Sequence, residues 1–429
     1  MLHCLSPFLA FPRLAPGAQP IEYYRMGKLS ATAVPAAKLR RIALNSQGLL
    51  KAEPFGRGRK ATLKAIEAIG YVQIDTISVV SRAHHHVLHS RVPNYDPRHL
   101  DRLQTDGQIF EYWYHAAAYL PMRDYRFALP RMEAMRNRTE RWIRSRDDKL
   151  MAEVLARVTA EGPLMARQFE SSESGESGWW NWKPAKRALE QLFMQGDLMV
   201  TGRDGFQKTY DIRERVLPEG TNTRMPDDAE MAAYLLRTML RAHGFITPKE
   251  VTHLRRGKAI RAALQTLLAD SLSEGSLVAI RQPCGIVAYT EPERLEIRAA
   301  PATARAALLS PFDNLVIHRD RVQSVFGFDY QIECYVNENN RRYGYYSLPI
   351  AYRDRLIGRA DCKAHRQERR FEIKHLHFET DADPAKDDFL PALADAFQRY
   401  AGFNDCAEIT LTRATPPTLG AALAAVLKA

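Results

Sequence analysis

The feature that most constrains this chain is an internal repeat. In the first copy Leu150, Val154, Leu155 and Val158 recur at helical spacing, and the helix ends at Gly162-Pro163. A short segment leads to a helix from Pro184 that carries Ala188, Leu189, Leu192 and Phe193 and stops at Gly196. Leu198-Met199-Val200 and Thr209 to Ile212 then read as two strands around the Gly202 to Gly205 turn. The second copy follows at an offset of about 80 residues. Its first helix carries Met231, Leu235 and Met239 and stops at Gly244. Thr247-Pro248-Lys249-Glu250 is a capping box with proline at the first helical position. Ile260, Ala263, Leu264, Leu267 and Leu268 line the next helix, and Leu277 to Ile280 and Ile286 to Tyr289 form the hairpin. Helix, helix, helix, hairpin, twice over, is the ordering of a winged helix.

Such a module docks its third helix in the major groove and its hairpin on the backbone. Lys183, Lys186 and Arg187 open that helix in the first copy, and Arg255, Arg256, Lys258 and Arg261 in the second. The net charge of +11 and pI near 9.4 fit a polyanionic partner. Arg131, Arg136, Arg138, Arg141, Arg144 and Arg146 face only Glu133 and Glu140, as a phosphate-tracking surface or a solvated helix face. No apolar run approaches the ~18–20 residues of a membrane span. The cysteines Cys4, Cys284, Cys334, Cys362 and Cys406 are scattered, with no CxxC pair. That disfavours a disulfide framework and a cysteine zinc site, and fits a reducing cytoplasm.

The flanks complete the expected architecture. Pro7, Pro12, Pro16 and Pro20 break up the N-terminus, so residues 1–35 are expected to be a poorly ordered extension. Helices over 37–50 and 61–69, a short strand after Gly70, a helical 79–91 and an aromatic Phe110 to Tyr114 strand make residues 36–146 a first winged-helix-like domain. The repeat copies give winged helices over 147–222 and 223–299. Beyond residue 300 the apolar pattern changes to period two. Leu315 to His318, Val325 to Tyr335, Tyr343 to Ile350, Leu356 to Ala364 and Phe371 to Phe378 are strand candidates, with Asn337 to Asn340 a hairpin turn. The expected class is α+β: tandem winged-helix modules followed by a C-terminal antiparallel β-barrel-like domain over 300–429.

Gly70-Tyr71-Val72-Gln73-Ile74-Asp75-Thr76 carries the chemistry. On a strand Tyr71, Gln73 and Asp75 share one face and Val72 and Ile74 the other, with Gln73 and Asp75 about 6–7 Å apart. An amide beside a carboxylate can orient and activate one water. The pair can equally cap a turn or meet an arginine. A single carboxylate suffices for glycosidic hydrolysis only if the leaving group is already activated. A purine alkylated at N7 is cationic and leaves as a neutral base. The carboxylate then has to aim a water at C1′ and stabilise an oxocarbenium-like sugar. Arg82, His84, His85, His86, His89 and Arg91 follow closely. They read as a polyanion-binding groove or a satisfied polar helix face. His85 and His89, at i and i+4, could ligate zinc, but HExxH and acidic partners at motif spacing are absent. No phosphate-binding glycine motif or nucleophile elbow is present, and no metal or cofactor is expected.

These residues resemble the YcaQ/AlkZ-like DNA glycosylases. The resemblance lies in Gly70 to Thr76, Arg82 to His86, Ser310-Pro311-Phe312-Asp313-Asn314-Leu315, Tyr343 to Ile350 and Gly358 to His365, and spans roughly 37–429. It implies tandem winged helices with a C-terminal β-barrel, and monofunctional removal of N7-alkylated purines, including the unhooking of DNA interstrand crosslinks in base excision repair. Gln73-x-Asp75 resembles the YcaQ branch, whereas another branch carries Gln-x-Gln. The catalytic pair implied is Gln73 and Asp75. Arg82, His85, His86, Arg91, Lys183, Lys186, Arg187, Arg341, Arg342 and Tyr343 are the candidate DNA contacts. The expected partner is double-stranded DNA carrying alkylated or crosslinked purines, bound by a cytoplasmic monomer. The competing reading is a winged-helix transcription regulator without catalytic activity, which would bind one palindromic site tightly.

Overall fold

The structure is a computed structural model that describes residues 30–139, 146–169, 182–253, 257–296, 304–379 and 388–428. Arg141, Arg144, Arg255 and Arg256 lie outside them. Both repeat copies form their helices and hairpin. The first has helices Asp148–Glu161 and Trp182–Met194, a 3-10 turn Ala166–Phe169 between them, and the hairpin Leu198–Asp204 with Gln207–Ile212. The second has Asp228–His243, Pro248–Val251 and Lys258–Ser273, then the hairpin Val278–Arg281 with Val287–Thr290. Asp227 and Thr247 both complete capping boxes, with Glu230 and Glu250. The second hairpin also takes Thr32–Ala33 as a parallel neighbour of Val278–Arg281. The end of the stretch expected to be poorly ordered is thus built into a sheet.

The first hairpin does not project freely. Glu111 is buried on the strand Ile109–Trp113, where Arg203 and Lys208 of the hairpin close on it at 2.9 Å. A buried charge needs such partners, since its desolvation otherwise costs several kcal/mol. The hairpin is therefore tied to the sheet that carries Gln73.

That sheet is small. Helix Gly58–Ile69 ends at Gly70, in a positive-φ conformation (φ 85°) that glycine adopts without strain. A Cβ there would come within 2.5 Å of the Thr238 methyl on helix Asp228–His243. The strand Val72–Gln73 follows and pairs antiparallel with Ala117–Pro121, placing Gln73 opposite Ala118. Val72 and Ile74 bury against Ile66, Ile69, Val87, Leu88 and Leu103.

The C-terminal region departs from expectation in two ways. Its sheet is not a closed barrel. The strands run Ala306–Leu308, Ser347–Tyr352, Arg355–His365, Arg370–Phe378 and Glu408–Leu411, with Ala414–Thr415 also on Arg370–Phe378, and the ends do not meet. The last two pairings are parallel. A parallel pair needs a crossover, and helix Phe389–Phe403 supplies it. The strands expected over Leu315 to His318 and Val325 to Tyr335 are also replaced. Arg319–Phe326 is a helix that buries Val322 and Val325 and ends at Gly327, with φ of 67°. Asn337 to Asn340 is a 3-10 turn at Glu338–Asn340, and the Tyr343 to Ile350 strand starts only at Ser347.

The loop 310–315 joins the two halves. Arg91 and Asp313 form a fully buried two-pronged pair, at 2.6 and 2.8 Å. The other guanidinium donors reach Gln47 O, Gln47 Oε1, Val87 O and Ser90 Oγ. Asn314 Nδ2 donates to Ile69 O and Tyr71 O, either side of Gly70. Asp313→Ala would strand the arginine charge in the core. It is expected to cost about 3–5 kcal/mol in urea unfolding. Removal of the exposed Arg157–Glu161 pair is expected to cost under about 1 kcal/mol.

Candidate active site

Tyr71 and Gln73 share one face of the short strand, as alternation requires. The hairpin joining Ile109–Trp113 to Ala117–Pro121 brings Tyr114 and His115 to that face. The Tyr71 ring stacks on Tyr114 with centroids 4.4 Å apart and meets the His115 ring edge-on at 5.1 Å. His115 Nε2 lies 3.1 Å from Gln73 Oε1. Gln73 itself is largely buried.

Asp75 lies beyond the paired strand, because the ladder ends at Gln73 and the last bond on this side runs from Ile74 N to Ala117 O. Its carboxylate accepts from Ile77 N at 2.8 Å, a short-range turn. Burial raises its pKa above the ordinary aspartate range, and the N–H groups of Ile77 and Thr76 oppose that shift. Its charge is felt across the gap to the C-terminal region. The Cys334 thiol is pushed up to about 11 by burial and then by Asp75. Tyr335 is pushed up to about 12 by burial, Cys334 and Asp75. The buried Tyr346 hydroxyl is raised by burial first, with Asp75 contributing. Tyr335 and Tyr345 beside this site are 58% and 37% exposed, large rings turned to solvent.

The loop 341–345 is braced from within. Glu333 accepts from the backbone N–H groups of Arg342, Tyr343 and Gly344 at 2.7–3.1 Å. Arg341 donates to Val336 O and lies 5.0 Å over the Tyr345 ring. Arg342 is exposed above Tyr343, whose ring also meets Arg359 at 4.0 Å and His377 edge-on at 5.0 Å. All three residues expected at this edge therefore stand on one loop, and its Arg341 acts on the same Cys334 thiol as Asp75.

The other expected DNA contacts divide. Arg91 and His86 are fully buried and cannot reach DNA. Arg91 is committed to Asp313, while His86 Nε2 meets Leu308 O at 2.9 Å and its Nδ1 meets the Tyr400 hydroxyl. Burial pulls His86 down to about 3 and His85 to about 4, so both are neutral at pH 7. His85 Nδ1 meets the Tyr95 hydroxyl at 3.0 Å. His89 stacks on Phe403. The run is a mostly buried helix face, hydrogen-bonded at His85 and His86, while His84 Nδ1 and His89 Nδ1 are buried without a hydrogen-bond partner. Arg82 is half-buried, donates to Gly205 O and covers the Phe206 ring, so it braces the hairpin tip. Lys183, Lys186 and Arg187 open helix Trp182–Met194, with Arg187 exposed and Lys186 half-buried. Among the described residues no group of three or more His, Cys, Asp or Glu is arranged to hold a metal ion. No helix there is long and apolar enough to cross a membrane.

Sequence reasoning did not single out His115, Glu333, Cys334, Tyr335 or Tyr345 for this site. His115 is 42 residues from Gln73 along the chain, and only the strand register brings them together.

Two comparisons bear on the whole chain. The sequence profile described as DNA glycosylase AlkZ-like matches residues 66–403. The solved structure of the Streptomyces sahachiroi DNA glycosylase AlkZ superposes with a TM-score of 0.60 at 16% identity. The match covers 89% of this chain and 100% of that one. At that identity the superposition speaks for the fold, while the profile spans most of the sequence and includes the Gln73 strand, the 310–315 loop and the 341–345 loop. The chain belongs to the AlkZ-like DNA glycosylase family.

Proposed function

We propose that this chain hydrolyses the N-glycosidic bond of N7-alkylated purines in duplex DNA, including those tied into interstrand crosslinks, as a monofunctional base excision repair enzyme of the YcaQ type. The carrying observation is a half-buried carboxylate, Asp75, which stands two residues from a buried amide, Gln73, and whose charge is felt at Cys334 and Tyr335 of the C-terminal region. Water attacks C1′ while the C1′–N9 bond breaks. The bonding electrons neutralise the purinium, and Asp75 takes the proton from the water. The cationic base needs neither a paired acid nor a Lewis acid to leave, so we infer a metal-independent reaction. A crosslinked base cannot swing fully out of the helix into a closed pocket. An exposed edge with projecting tyrosines suits it better.

In this reading residues 36–146, 147–222 and 223–299 are winged-helix modules, and 300–429 is the domain that closes on the catalytic strand. The helix and hairpin order in both repeat copies supports it, as does the positive charge. Gln73, Asp75 and the 341–345 loop all come from one chain, so a monomer is sufficient, and the scattered cysteines support a cytoplasmic one.

The test is base release from a duplex containing N7-methylguanine or an N7–N7 crosslink, in EDTA. Release is expected in EDTA, with Asp75→Asn slower by about 10²–10⁴-fold. No release, or equal release by Asp75→Asn, overturns the reading. A sequence-specific regulator would instead bind one site tightly and release nothing.

Asp75 also sets the pH dependence. Activity needs the carboxylate ionised, so it falls with acid, and the midpoint lies above the ordinary 3.8. For stability the sign is opposite. A raised native pKa means the folded state holds the proton more tightly, so Asp75 contributes less stability as pH rises through that pKa. Asp75→Asn is therefore expected to raise Tm at pH 7 while slowing release by about 10²–10⁴-fold.

A separate expectation concerns DNA affinity. Arg341→Ala and Arg342→Ala should each flatten the slope of log K against log[salt] by about 0.9. Unchanged slopes would remove this loop from the phosphate contacts.

A further inference from the structure

An amide has two different ends. Its oxygen accepts hydrogen bonds and its NH2 donates them, so the end that faces the reaction fixes what Gln73 does. In this fold that choice is made by a neighbour. His115 Nε2 stands 3.1 Å from Gln73 Oε1. Since the oxygen can only accept, the imidazole must carry its proton on Nε2. The Gln73 oxygen is then committed, and the other end of the amide faces away from His115.

His115 is itself held. It is the central residue of the tight turn between Trp113 and Ala117, closed by a bond from Tyr114 N to Ala116 O. Tyr71 meets the His115 ring edge-on at 85°, and Tyr114 meets it at 75°. Tyr71 and Tyr114 are stacked with only 20° between their planes. Two rings thus fix the plane of the imidazole, and one of them stands two residues before Gln73 on the same strand face. Bracing of this kind holds a functional side chain to the tolerance that catalysis needs.

We propose that His115 is a positioning residue of the glycosylase: it clamps Gln73 Oε1 and so turns the Gln73 NH2 toward the attacking water. The inference rests on the reading of Gln73 and Asp75 given above. It divides their labour. The water oxygen accepts a hydrogen bond from the Gln73 NH2, one water proton is held by Asp75, and the second lone pair is left for C1′. With the amide reversed, Gln73 and Asp75 would both be acceptors, the water would give a proton to each, and its oxygen would receive no hydrogen bond from the pair. The imidazole keeps its Nε2 proton whether neutral or cationic, so this clamp survives mild acid and leaves the acid limb to Asp75.

The experiment is single-turnover release of N7-methylguanine from duplex by the full chain, with DNA affinity measured in parallel. His115→Ala is expected to slow the chemical step by about tenfold or more, with DNA affinity within about twofold. His115→Gln, whose amide NH2 reaches nearly as far as Nε2, is expected to recover most of the rate. The discriminating arm is a double-mutant cycle. In a Gln73→Ala background, His115→Ala should cost nothing further, because its effect passes through Gln73. A full additional loss there, no loss from His115→Ala alone, or no rescue by His115→Gln while its Tm matches wild type would each overturn the proposal. In those cases the loss of release in Asp75→Asn still stands and the glycosylase reading survives. A wild-type chain that releases no base overturns both.

Discussion

The architecture depends on one buried ion pair. Arg91 and Asp313 meet with no solvent exposure on either side chain, and the guanidinium donors reach residues 47, 87, 90 and 313. Charges taken from water cost several kcal/mol each, and even a well-made pair does little more than recover that cost. Its main effect is therefore on arrangement. With every donor and both carboxylate oxygens engaged, only one docking of the 310–315 loop against helix Ala83–His89 leaves no charge unpaired. That docking places Asn314 across Gly70, where it holds the carbonyls of Ile69 and Tyr71. The strand bearing Gln73 is two residues long and could not hold its position by ladder bonds alone. The 310–315 loop supplies what the strand lacks.

Contacts with the C-terminal region also explain His86. Tyr400 links Ser81 to His86, and His86 in turn holds Leu308 O, so three regions share one neutral hydrogen-bonded chain. Neutrality is imposed by burial, which holds His84, His86 and His89 far below their usual pKa. A polar network without net charge carries no cost of burying an ion and still fixes geometry.

Much of this was legible in the sequence, and the limits have physical causes. The repeat was legible because glycine stops, capping boxes and apolar spacing are local signals. Gly162, Gly196, Gly244 and Gly275 all end or follow helices with positive φ. The segment 315–335 was not. Val322 and Val325 fit a helix, but the apolar run before them masked the change of period. The open sheet was also hidden, because the short strand Glu408–Leu411 pairs in parallel across a helix and no local pattern reports that. Arg91 and His86 look like DNA contacts in the sequence, since residue type is visible there and burial is not. Gln73 and Asp75 could be singled out together, but the imidazole that fixes the amide lies on another strand.

What remains is why a half-buried aspartate suits the proposed chemistry. Two opposed influences act on it. Burial disfavours the anion, and the N–H groups of Ile77 and Thr76 favour it. Were burial alone at work, the carboxyl would drift toward neutrality and could not take a proton. Were the backbone donors dominant, the anion would be too weak a base. The raised pKa with its counterweight leaves a carboxylate more basic than an exposed one, the direction that general-base catalysis rewards. A poorer leaving group would still need an acid on the other side, and the described residues place no second carboxylate in hydrogen-bond contact with Gln73 or Asp75. In the function proposed above, a lone general base of this kind acts on bases that alkylation has already made ready to depart.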